Sequence, residues 1–109
     1  GYDHNFVLNN KKANNIKKVA ELIGDKTKIK MCVKTDLPGL QFYSGNFLDG
    51  SYEGKNGFKL IRNSGLCLEP QYFPDSPNNS HFPPTILKKG DVYAHNIIYG
   101  LSNWKTLKN

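Results

Sequence analysis

Glu69 carries the most direct chemical opportunity in this chain of 109 residues. It lies in Gly65-Leu66-Cys67-Leu68-Glu69-Pro70-Gln71-Tyr72-Phe73-Pro74-Asp75, an acidic residue at the end of a short apolar run that stops on a proline. Side chains alternate along a strand, so Leu66 and Leu68 are expected on one face and Cys67 and Glu69 on the other. With the leucines in the core, the glutamate faces a cleft. A carboxylate fixed at the end of an apolar strand and partly desolvated is suited to take a proton as a general base. The plainer alternative is a strand-end glutamate in solvent or in a salt bridge.

Asp3, in Gly1-Tyr2-Asp3-His4-Asn5-Phe6, is the second candidate. An ionised carboxylate accepts hydrogen bonds on both oxygens and can grip neighbouring hydroxyls, or it can cap a turn. Gln41 offers a donor and an acceptor and, on a strand, shares a face with Tyr43; it either contacts a ligand or satisfies neighbouring backbone. His4 adjoins Asp3 and points to the opposite face. His81 lies in a proline-rich stretch and His95 in the last expected strand, neither with a carboxylate spaced to orient it, so none of the three is assigned as an acid. Phe42, Tyr43, Phe47, Tyr72, Phe73 and Phe82 are read mainly as packing aromatics, one of which could stack on the apolar face of a ligand.

These residues need strands to hold them. Residues 28–34 alternate with period two, which sends Ile29, Met31 and Val33 inward and Lys28, Lys30 and Lys34 outward. Pro38-Gly39 is expected to turn the chain, the proline presetting its dihedral and the glycine accepting a positive one. A strand over 40–43 follows. Asn56-Gly57 is a tight-turn signal between 51–53 and 58–61. The proline-rich interval 74–84 excludes a central strand or a helix and reads as a long ordered loop; residues 92–101 read as a closing strand. Ile16, Val19, Ala20 and Ile23 have helical spacing, so pattern alone makes 14–23 a helix, although strand pairing can override such short runs. Residues 9–15 read as a polar turn.

The formal net charge is +6, with Lys11, Lys12, Lys17, Lys18, Lys26, Lys28, Lys30 and Lys34 supplying over half of the 15 basic residues. A nucleic-acid surface would favour arginine and interleaved aromatics. Arg62 is the single arginine and no aromatic falls between Phe6 and Phe42, so the lysines read as a solvated sheet face. No apolar run approaches the about 20 residues needed to span a bilayer. Cys32 and Cys67 are too few for a disulfide framework and show no metal-ligand spacing; they are read as reduced thiols, buried or half-buried, in a cytoplasmic protein.

Three stretches, in order, resemble consecutive motifs of the aldose 1-epimerases, also called galactose mutarotases: Gly1-Tyr2-Asp3-His4-Asn5-Phe6, Pro38-Gly39-Leu40-Gln41-Phe42-Tyr43-Ser44-Gly45-Asn46-Phe47-Leu48, and the run from 65 to 75. The likeness extends to Gly54-Lys55-Asn56-Gly57, Phe82-Pro83-Pro84 and Leu87-Lys88-Lys89-Gly90-Asp91-Val92-Tyr93, over residues 1 to about 99. Pro70 stands where a small polar residue is expected. The resemblance implies an all-β, antiparallel two-sheet sandwich, the galactose mutarotase-like supersandwich, of which residues 1–109 are the C-terminal part and from which the N-terminal part is absent. It implies a strand over 14–23. It also implies Glu69 as the general base, Asp3 as a holder of sugar hydroxyls, and an acid histidine in the part before Gly1, so that this chain alone is expected to be inactive. Acid/base mutarotation needs no metal and no organic cofactor. The expected partners are a monosaccharide such as galactose or glucose, the missing N-terminal part, or further copies of the chain as a homo-oligomer.

Two function classes stay open on sequence. One is an isomerase; the other is a carbohydrate-binding module or regulator on the same sandwich, since fold does not fix function. Retention of both Asp3 and Glu69 favours the isomerase. A basic surface for acidic partners is a weaker third.

Overall fold

The computed structural model describes residues 1–9 and 15–104. Six strands follow one another: β1 (Asp3–Val7), β2 (Lys17–Ile23), β3 (Ile29–Thr35), β4 (Gly39–Tyr43), β5 (Cys67–Gln71) and β6 (Ile97–Asn103). They form two three-stranded sheets, ordered β1-β4-β5 and β2-β3-β6, every pairing antiparallel. The all-β, two-sheet reading therefore stands. The polar turn expected over 9–15, with Lys11 and Lys12, lies largely outside the described residues.

The helix-spaced segment is β2. It pairs with β3 from Lys17 opposite Thr35 to Ile23 opposite Lys30, with a register shift between Lys18 and Ala20. The irregularity inserts one residue into the alternation, and Val19 and Ala20 become half-buried side by side. That insertion turns a period-two apolar pattern into one with helical spacing. On β3 the alternation of burial is clearest at the C-terminal end, where Val33 and Thr35 are buried on either side of exposed Lys34. Lys30 departs from its expected outward position: it is half-buried and its Nζ lies 2.7 Å from Glu21 Oε1 on β2. Lys18 approaches the same oxygen at 3.2 Å.

The core sits where β3 hands the chain from one sheet to the other. Val33, Leu37 and Leu40 are 0%, 2% and 5% exposed, and Thr35 is buried beside them. The Thr35 hydroxyl donates to Asn96 O at 2.9 Å and accepts the Leu37 N–H at 3.1 Å, which satisfies the bend at 36–38. Gly39 opens β4 without a positive φ, contrary to the turn expected there. Its smallness has another cause: a Cβ would stand 2.7 Å from Asn5 Oδ1, 3.0 Å from Phe73 Cδ1 and 3.1 Å from Gln71 O. Glycine is present because β1 and β5 close on both sides of it.

The Asn56-Gly57 signal holds. Both residues have positive φ, of 60° and 71°, and Glu53 bridges Lys59 across the turn. Residues 74–84 form a loop containing one short 3-10 turn at Ser76–Asn78. The closing strand begins at Ile97 rather than 92, because the register with β3 ends at Thr35 opposite Ile97.

Candidate functional site

Directly opposed residues of antiparallel strands share a face. Asp3 opposes Tyr43, Asn5 opposes Gln41 and Val7 opposes Gly39 across β1 and β4. Tyr43 opposes Cys67, Gln41 opposes Glu69 and Gly39 opposes Gln71 across β4 and β5. One face of this sheet thus collects Asp3, Asn5, Gln41, Tyr43, Cys67, Glu69 and Gln71. The other carries His4, Phe6, Leu40, Phe42, Leu68 and Pro70, and His4 is behind the polar face, as alternation requires.

The polar face floors a cleft of about 410 Å³ lined by Asp3, Gln41, Tyr43, Phe47, Glu69, Gln71 and Pro74. Gln41 Nε2 donates to Asp3 Oδ1 at 2.8 Å. Its Oε1 is buried and accepts no hydrogen bond from the described residues. Gln71 Nε2 lies 3.4 Å from Asn5 Oδ1. The Tyr43 hydroxyl accepts the Phe47 N–H at 3.0 Å, and the two rings stack at 6.2 Å, leaving Phe47 77% exposed at the rim.

Two expectations for Glu69 change. β5 continues through Pro70 to Gln71, so the glutamate is inside the strand rather than at its end. Pro70 is tolerated because β5 is at the edge of this sheet and a proline there forfeits no ladder donor that β4 requires. Glu69 is also exposed, so these strands do not supply the desolvation expected of it. Cys67 is likewise exposed rather than half-buried. Partial burial, followed by the charge and hydrogen bonding of Glu69, pushes its thiol above the ordinary cysteine value.

A model of the aldose 1-epimerase family matches residues 1–100. This chain belongs to the aldose 1-epimerase family. It is 46% identical over 96 residues to galactose mutarotase from Mus musculus, covering 87% of this chain and 27% of that protein. It is 38% identical over 96 residues to aldose 1-epimerase from Escherichia coli K12, covering 86% and 27%. Among solved structures, the GalM/aldose epimerase homologue from C. elegans superposes with a TM-score of 0.83 at 31% identity, over 95% of this chain and 30% of that one. The architecture is therefore that of the mutarotase sandwich, and the chain spans 27% of the length of the curated relatives it matches.

Within this family fold, the structure brings Asp3, Gln41 and Glu69 into one cleft from three adjacent strands. Gln71 joins them in the cleft, and Asn5 shares their sheet face without lining it, although neither was given a binding role from sequence; each stands two residues from a named carboxylate, and alternation was the signal for both. Among the described residues no group of three or more His, Cys, Asp and Glu is placed to hold a metal ion. No helix among the described residues is long and apolar enough to cross a membrane.

None of the three histidines lines the cleft. His95 does have an orienting carboxylate, which corrects the reading from sequence: its Nδ1 is 3.2 Å from Asp36 Oδ2, and Asp36 Oδ1 accepts the Asn96 N–H at 2.9 Å. The pair is enclosed, with His95 15% and Asp36 6% exposed. Burial pushes the Asp36 carboxyl up, but the Asn96 N–H, its own N–H and His95 outweigh this and hold it below the usual carboxylate range. His95 lines a separate cavity of about 600 Å³ with Tyr72, Leu87, Asp91, Val92 and Tyr93, beyond the end of β5.

Proposed function

We propose that the protein carrying these residues is an aldose 1-epimerase that interconverts the α and β anomers of free aldohexoses such as galactose and glucose. Glu69 is the general base and Asp3 and Gln41 hold the sugar hydroxyls. The observation that carries this reading is the convergence of the Asp3 and Glu69 carboxylates and the Gln41 amide in one cleft of a mutarotase fold.

In the forward step Glu69 takes the proton of the anomeric hydroxyl. The C1–O bond to the ring oxygen breaks as C1=O forms, and an acid protonates the ring oxygen. Rotation about C1–C2 and reclosure on the other carbonyl face give the second anomer. The resemblance implies that the acid is a histidine of the family's N-terminal part; none of His4, His81 and His95 lines the cleft. The Gln41 amide stands beside Asp3 on the cleft floor, and the exposed Phe47 ring offers an apolar platform. A sugar and the rest of the domain closing over the cleft would provide the desolvation that Glu69 lacks here. The free thiols Cys32 and Cys67 fit a cytoplasmic setting.

Polarimetry on freshly dissolved α-glucose or α-galactose tests the assignment. Glu69→Gln in the full-length protein should keep its circular dichroism and lose on the order of 10²- to 10⁴-fold in rate. A variant relaxing as fast as the parent removes Glu69 from the role.

A second reading is a carbohydrate-binding module without turnover, because a fold alone does not fix catalysis. Sugar binding by calorimetry with no catalysed mutarotation in the full-length protein would select it.

A further inference from the structure

β5 bears Glu69 yet is an edge strand, hydrogen-bonded to β4 alone among the described strands. Two side chains from the segment 95–99, which runs into β6 of the other sheet, make contacts on either side of the glutamate, Tyr99 with β5 itself and His95 with Tyr72, the residue that follows β5. The Tyr99 hydroxyl donates to Leu68 O at 2.8 Å, one residue before Glu69. The Tyr72 hydroxyl, three residues after it, lies 3.3 Å from His95 Nε2. His95 is in turn fixed through Nδ1 by Asp36, in the bend that leads from β3 into β4. With Nδ1–H donated to that carboxylate, Nε2 is the acceptor for the Tyr72 hydroxyl. Asp36 also receives the Asn96 N–H, and Thr35 bonds Asn96 O, so the anchor point is tied to the buried junction between the sheets.

We infer that His95 and Tyr99 are positioning residues for Glu69: Tyr99 holds β5 directly and His95 holds the chain just after it through Tyr72, and together, as a clamp, they set where the Glu69 carboxylate stands relative to Asp3 and Gln41. This rests on the reading of Glu69 as the base. Asp3 and Gln41 are on β1 and β4, which the clamp does not touch. Loosening it displaces the proton acceptor while leaving the hydroxyl-holding residues in place, and a displacement near 1 Å costs on the order of 100-fold in rate.

Tyr72→Phe and Tyr99→Phe in the full-length protein remove only the two hydroxyl oxygens, which spares folding. Each is expected to lower kcat about tenfold with KM nearly unchanged, and the double variant about 100-fold. His95→Ala made in the Tyr72→Phe background should lower kcat little further, because its route to β5 is already cut. Amide hydrogen exchange read in parallel should quicken over 67–71 and not over 3–7 or 39–43. A double Phe variant with unchanged kcat and unchanged exchange at 67–71 would overturn the proposal, as would loss of protection spread evenly over all three strands. If the parent shows no mutarotation, or Glu69→Gln keeps the parental rate, the functional reading fails instead. The exchange measurement still decides the clamp: selective loss at 67–71 sustains it and parental protection there ends it.

Discussion

Gln41 donates its carboxamide to Asp3 across 2.8 Å and leaves its own buried Oε1 without a donor from the described residues. The bond fixes the sense of the amide: Nε2 is turned to the carboxylate, and the oxygen is the buried atom left without a donor from the described residues. Asp3 thus accepts from Gln41, and under the proposed function it also accepts from a sugar hydroxyl.

Graded variants should separate those two functions. Asp3→Asn retains an acceptor for Gln41 but loses the charge, while Asp3→Ala loses both. Hydrogen bonds to a charged group are worth about 1.5–3 kcal/mol, so Asp3→Ala is expected to weaken sugar binding about 10- to 100-fold, with Asp3→Asn between it and the parent. Asp3 is exposed, so the unfolding midpoint should move little. Isothermal titration with galactose and glucose measures the first effect and urea unfolding the second; equal affinity in all three proteins would return Asp3 to a structural role.

Gly39 should resist enlargement for reasons of space. A methyl group there meets the Asn5 side chain at 2.7 Å and the Gln71 carbonyl at 3.1 Å, and the latter is backbone that cannot swing aside. Overpacking of this kind costs about 1–3 kcal/mol, offset in part by the strand's preference for alanine over glycine. Gly39→Ala is therefore expected to destabilise by about 1 kcal/mol and to disturb the Gln71 amide. Urea titration reads the first effect, and an unchanged midpoint would show that β1 and β5 yield.

Much of the site was legible because a strand has period two. Asp3 and Asn5, Gln41 and Tyr43, and Cys67 and Glu69 each fall two apart, so placing one member of a pair places the other, and His4 is forced behind. What escaped was set by partners distant in the chain. Asp36 and His95 are 59 residues apart and no spacing rule joins them. The need for glycine at 39 comes from β1 and β5 rather than from its own dihedral. Glu69 lies in the open because burial depends on what stands across the cleft, which no local pattern records. β2 looked helical because a bulge broke its alternation, and only pairing with β3 reveals that.

Cys67 reports on its neighbour Glu69. Partial burial and then the carboxylate raise its thiol, which lowers the thiolate present near pH 8 and slows alkylation. Glu69→Gln removes the charge while keeping an acceptor oxygen, so Cys67 should react faster with iodoacetamide at that pH. Peptide mass spectrometry distinguishes it from half-buried Cys32. An unchanged rate would mean the two side chains do not share the cleft face as the register places them.

Asp36 should make stability sensitive to acid. Its folded carboxyl is held below the ordinary value of 3.8. A group depressed on folding contributes stability that is fully present above its unfolded value and is lost as pH falls through its folded one. The loss for Asp36 therefore begins near pH 4 and continues below it, with the contacts to Asn96 and His95 going together as the carboxyl protonates. Asp36→Asn cannot ionise, so it should be less stable than the parent at pH 7, by about 1–3 kcal/mol for bonds to a charged, mostly buried group. The gap between the two proteins should narrow as pH drops below 4. Urea midpoints collected from pH 7 to pH 3 test this, and curves that stay parallel over the whole range would show that the carboxylate of Asp36 does not hold the junction between the sheets.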